Sequence, residues 1–103
     1  MAKVVESDGF VTLRLSRWEK LGSLHGDISV EASKVISRTE VENPWKRRYL
    51  RGFRAPGTAF PYVILLGTMR FKRGKDFCAI YKRTPAVIYE LTDAPFKRWI
   101  VSI

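Results

Sequence analysis

The 103-residue sequence has one cysteine and one histidine, and these two scarcities exclude more chemistry than any motif assigns. A lone cysteine makes no intramolecular disulfide, and a single His–Cys complement does not furnish the soft ligands of a zinc site. Acid is scarce as well: 10 Asp and Glu stand against 19 Lys and Arg, a formal net charge of +9. Long apolar runs are missing, since Ala59–Leu66 is interrupted by Pro61 and falls far short of the roughly 20 residues of a membrane span. Glu6 and Asp8 interrupt the apolar core that a secretory signal would need. These absences predict a soluble, cytoplasmic chain. Its length predicts one domain, residues 1–103, with one core and neither staples nor cofactor.

The charge that is there is lopsided. Residues 1–43 hold 6 Lys/Arg and 7 Asp/Glu, and residues 44–103 hold 13 and 3, so the two parts carry −1 and +10. The excess is densest at "KRRYLRGFR" (Lys46, Arg47, Arg48, Arg51, Arg54) and at "RFKRGK" (Arg70, Lys72, Arg73, Lys75). Such a field draws polyanions, whether nucleic acid, anionic lipid or acidic protein; charge of this kind also serves plain solubility.

Periodicity predicts strands. "FVTLRLSR" puts Val11, Leu13 and Leu15 on one face and Thr12, Arg14 and Ser16 on the other. "PYVILLGTMRF" and "DFCAIYKR" are β-branched and aromatic, with a hairpin turn at the Gly74-containing "KRGK" between them. "PAVIYEL" and "RWIVSI" follow, separated by Thr92–Pro95, read as a turn or one helical turn started by Asp93. "KVISRTEV" also alternates, and Trp18–Leu24 reads as a short helix or a bend. A short helix is predicted over "NPWKRRYL", with Asn43 as N-cap, Pro44 in the first turn and Gly52 ending it. Six to eight short strands of this kind close most naturally as a small bent antiparallel barrel.

Candidate sites follow. In Arg51–Thr58, Gly52 and Gly57 allow positive φ, Pro56 sets a bend, and Arg51 and Arg54 supply two guanidinium forks. That set suits an anion grip, yet the spacing matches no phosphate loop, and an ordinary structural turn at Pro56–Gly57 is the alternative. His25, Asp27 and Cys78 are of the types used in nucleophilic catalysis, but Cys78 sits mid-strand, where a lone cysteine is an inert small hydrophobe. Glu90 and Asp93 do not form an acid–base pair. Trp45, Tyr49, Phe53, Phe60, Phe71 and Tyr81 interleave with cations, the composition that holds single strands when the rings are exposed.

One resemblance adds to this reading. Trp45 followed by Arg-Gly-Phe-Arg-Ala-Pro-Gly-Thr (Arg51–Thr58), then Gly67-Thr68 and Gly74-Lys-Asp-Phe77, resembles the pattern of a family of small, mainly actinobacterial proteins, over the chain from about residue 10 onward. The pattern carries no assigned activity. It implies an all-β, pleckstrin-homology-like fold with short helices: an antiparallel roll or barrel of two nearly orthogonal sheets. In that topology a C-terminal helix caps the barrel, and Ile103 stands where the helix would begin, so the resemblance implies either a missing cap or a barrel end covered by a partner or by another copy, with self-association as a homo-oligomer the expectation. The expected function is a non-catalytic binding or assembly module without cofactor. Its anion-binding surface is formed by Lys46, Arg47, Arg48, Arg51, Arg54, Arg70, Lys72, Arg73 and Lys75, and it contacts an acidic protein or an anionic membrane surface. The alternative is single-stranded nucleic-acid binding through the same cations and exposed aromatics.

Overall fold

Alternating apolar residues need a facing surface, and here two sheets provide it for one another. The structure is a computed structural model that describes residues 2–23, 25–45, 53–60, 63–72, 74–82 and 84–102, and only the backbone over 53–60. Nine strands occur among them: β1 (Lys3–Ser7), β2 (Phe10–Arg14), β3 (Ile28–Glu31), β4 (Val35–Val41), β5 (Phe53–Phe60), β6 (Ile64–Phe71), β7 (Gly74–Tyr81), β8 (Ala86–Leu91) and β9 (Arg98–Ser102). One helix, α1 (Arg17–Ser23), and one 3-10 turn, Ala32–Lys34, join them. The chain is therefore all-β with short helices. Among the described residues no helix is long and apolar enough to cross a membrane.

The strands form a three-stranded sheet in the order β1-β2-β3 and a six-stranded sheet in the order β4-β8-β9-β7-β6-β5. These are two separate sheets and not a closed barrel. All pairings are antiparallel except β7 with β9, where Asp76 to Ala79 run alongside Arg98 to Val101. β8 reaches β9 through the bends at Thr92–Pro95, a segment that is bent and not helical.

One core fills the space between the sheets: Val11, Leu13, Ile28 and Val30 face Leu66, Phe77, Ala79, Trp99 and Val101. A second lies on the opposite face of the large sheet, formed by Val41, Leu65, Cys78, Ile80, Ala86, Ile88 and Ile100. β7 thus divides its side chains between two cores, which is why "FCAIY" reads as a continuous apolar run.

Two local details differ from the sequence expectation, at Arg54–Thr58 and at β1. Arg54–Thr58 lies in an edge strand, so Pro56–Gly57 is not a tight turn. Arg54 pairs with Met69 and Gly57 with Gly67, leaving one extra residue on β5, a bulge at the one place where proline withholds a ladder N–H. The Trp18–Leu24 segment takes the helical alternative, as α1 at Arg17–Ser23. The predicted one at 44–50 falls mostly outside the described residues, although the Asn43 side chain does accept a hydrogen bond from the Trp45 N–H (3.1 Å). Finally, β1 exists because Asp8-Gly9 closes a two-residue hairpin with Ser7 opposite Phe10; φ is +53° at Asp8 and +80° at Gly9, as a type I′ turn requires.

Gly9→Ala should therefore destabilise the fold by about 1–2 kcal/mol through its left-handed φ. Gly26→Ala, at a glycine with open space around its Cβ position, should be near neutral. Urea denaturation of the two variants tests the difference.

Candidate functional site

The hairpin joining β6 and β7 gathers the described part of the basic surface. Arg70 stands directly opposite Lys75 across the ladder, and Lys72 lies in the connecting turn. Like charges placed face to face are unfavourable unless solvated or met by an anion. Lys97, which the sequence did not suggest, joins them: its N–H donates to the Lys75 carbonyl (2.7 Å), and its stem covers Gly74 so closely that a Cβ there would sit 2.9 Å from Lys97 Cγ. The Lys75 ammonium lies 4.8 Å from the centroid of the Phe96 ring, which holds that cation by the ring's negative face. Phe96 in turn meets Phe77 and His25 edge-on. A shallow depression of about 490 Å³, lined by Leu91, Thr92, Asp93, Ala94, Pro95 and Lys97, opens beside this end.

The acid nearest in sequence, Asp76, is turned inward. It is fully buried and accepts from Arg98 Nε (3.4 Å) and Nη2 (3.3 Å) on the adjacent parallel strand. Asp76 and Arg98 thus offset each other's charge inside the sheet, and the side chains of Arg70 and Lys72 are exposed at the hairpin. The remaining residues of the expected surface lie outside the described residues: Lys46, Arg47, Arg48, Arg51, Arg73 and the side chain of Arg54.

The residues of catalytic type are not brought together. Cys78 is fully buried in the outer core of the large sheet, whereas the His25 ring packs on Phe77, whose side chain points to the opposite face of β7. Asp27 accepts a hydrogen bond from the Leu15 N–H (2.7 Å), and Glu90 one from Ser37 Oγ (3.3 Å). Of the aromatic residues considered for base stacking, Trp45, Phe71 and Tyr81 are half-buried. The Trp45 indole donates to the Lys82 carbonyl, and the side chains of Tyr49, Phe53 and Phe60 lie outside the described residues.

Among the described residues, Glu19 and Tyr81 have shifted titrations, at a feature that the sequence reading passed over. "SRWE" (Ser16–Glu19) is a capping box: the Glu19 carboxylate accepts from the Ser16 N–H (2.9 Å), and the Glu19 N–H donates to Ser16 Oγ (3.3 Å). The second carboxylate oxygen accepts from the Tyr81 hydroxyl (2.6 Å), fastening α1 to the end of β7. Burial pushes the Glu19 carboxyl up, but the bonds from Tyr81 and Ser16 outweigh it and hold the group below its ordinary value. Burial, and then the bond to Glu19, push the Tyr81 phenol well above its ordinary range.

The signs follow by linkage. Glu19 contributes stability in full above its unfolded value of about 4.5 and loses it as pH falls through the lower folded value. Tyr81 contributes in full below its unfolded value near 10 and loses it as pH rises beyond that. Tyr81→Phe should cost about 1.5–3 kcal/mol at pH 7, the range for a hydrogen bond to a charged group. It should also weaken both the acid and the alkaline loss of stability, as measured by denaturant midpoints across pH.

In comparison with known proteins, no family model matches this chain, nor does any curated protein or solved structure, so the chemistry of the site rests on its own residues.

Proposed function

We propose that this protein is a non-catalytic binding module that meets an anionic partner through the β6–β7 end. The observation that carries this reading is the gathering of Arg70, Lys72, Lys75 and Lys97 at one end while the adjacent acid, Asp76, is consumed internally by Arg98. Exposed Asp93 is the acid that remains in the depression next to them. A hairpin tip with cations at positions 70, 72 and 75 raises the local concentration of polyanions without demanding a particular sequence or headgroup. A pleckstrin-homology-like fold belongs to the same proposal: two packed sheets of short, mostly antiparallel strands are in keeping with it, whereas the parallel β7–β9 pair departs from the antiparallel roll that the resemblance implies.

The function is tested with three anionic probes: polyglutamate, phosphatidylserine vesicles and a single-stranded oligonucleotide. Three to five ionic contacts predict that log affinity for the oligonucleotide falls against log salt with a slope of roughly −2 to −4. Arg70→Glu with Lys72→Glu should weaken binding by about tenfold or more at low salt, where screening is least, with the fold retained because both side chains are exposed. Polyglutamate preference assigns an acidic protein, and vesicle preference a lipid surface. Binding that is insensitive to salt, or unchanged in the double variant, refutes the proposal. A strong oligonucleotide preference replaces it with single-stranded nucleic-acid binding.

A further inference from the structure

Helix α1 is inside out. Its buried residues are Glu19 and Ser23, at 1% and 0% exposure, while Trp18 is 80% and Leu21 64% exposed. A surface helix ordinarily turns its apolar stripe to the core. At 100° per residue, Glu19 and Ser23 define the inward edge, and Lys20, Arg17, Leu21 and Trp18 follow one another around the outward arc. Leu21 lies one turn from Trp18, so the two apolar side chains are neighbours. Exposed Arg17 and Lys20 flank them, and just before the helix Arg14 stands opposite Lys3 across the β1–β2 ladder. Asp27, itself exposed, lies 3.9 Å from the Lys20 ammonium.

The polar inward edge is an anchor. Glu19 is tied to Ser16 and Tyr81, and Ser23 Oγ donates to the Glu19 carbonyl (2.6 Å), so α1 is held without using Trp18 or Leu21. The apolar arc is thereby free of any folding duty that these bonds already perform, and it is presented pre-organised.

We infer that the outer face of α1 docks an acidic polypeptide segment carrying an apolar side chain among its carboxylates. The apolar pair supplies the anchor, because tryptophan and arginine dominate the energetics of protein interfaces. Arg14, Arg17 and Lys20 set the sign of the partner. A bilayer is the poorer fit, since interfacial helices bury a long apolar face and this one offers two side chains over seven residues. A second copy is also poorer, because a chain of net charge +9 repels itself. The face is separate from the β6–β7 tip: Tyr81, where α1 is fastened, pairs with Ile64 at the far end of that hairpin from Phe71 and Gly74, roughly 23 Å away at the rise of a strand.

Trp18 is the exposed tryptophan, Trp45 being half-buried and Trp99 buried, so its fluorescence reports on this face. The probe is a short synthetic peptide with leucine and phenylalanine set among Asp and Glu. It should shift the emission to the blue and bind with an affinity that falls with salt. Leu21→Ala and Arg17→Glu should each weaken binding by about tenfold or more, the loss expected of an interface anchor. Trp18→Ala, followed by calorimetry, should do the same. Arg70→Glu with Lys72→Glu should leave binding to the peptide within about twofold, which separates this inference from the hairpin proposal. The inference is overturned if the peptide does not bind, or if it binds these α1 variants as tightly as the parent chain. It is equally overturned if phosphatidylserine vesicles produce the larger blue shift, or if sedimentation finds a dimer that Trp18→Ala dissolves.

Discussion

The structure depends on β7 having no solvent face. It runs between β6 and β9 in the large sheet, with Phe77 and Ala79 in the core between the sheets and Cys78 and Ile80 in the core on the outer side. A strand buried on both faces needs every ladder group paired along its length, and both its antiparallel and its parallel neighbour supply those bonds. Everything polar about β7 is therefore displaced to its ends. At one end Asp76 takes Arg98 as its partner and Lys75 lies over Phe96. At the other, the Tyr81 hydroxyl binds Glu19.

Those two ends explain where interaction surfaces arise. Inward pairing of Asp76 turns that acid away from the exposed Arg70 and Lys72 side chains of the hairpin. Inward anchoring of Glu19 fixes α1 by its polar edge and leaves Trp18 and Leu21 outside. Both surfaces are consequences of burying a carboxylate, which requires a partner because an unpaired buried charge is costly. The same requirement separates Cys78 from His25: β7 sends alternate side chains to opposite faces, and no rearrangement short of a register slip would bring them together.

What was legible in the sequence was local. Alternation in "FVTLRLSR" and "KVISRTEV", and the apolar, β-branched runs of β6 to β9, marked strands because period-2 burial needs no knowledge of the partner. The Arg70–Lys75 hairpin and its charge were readable for the same reason. Asp8-Gly9 and Ser16-Arg-Trp-Glu19 were also written there, as a hairpin turn and a capping box. Arg51–Thr58 misled, because glycine and proline mark turns far more often than bulges in an edge strand.

The amino-acid sequence by itself determined the all-β class, the strands whose pattern alternates, the scarcity of metal and thiol ligands and the basic second half. Tertiary structure alone decided the parallel pairing of β7 with β9, the arrival of Lys97 beside Lys75 and the inverted orientation of α1. The physical reason is distance along the chain. Propensity and alternation act over a few residues, whereas Glu19 finds Tyr81 across 62 positions and Asp76 finds Arg98 across 22. Only the folded arrangement of both sheets sets which carboxylate is paired inside and which side chains are left facing a partner.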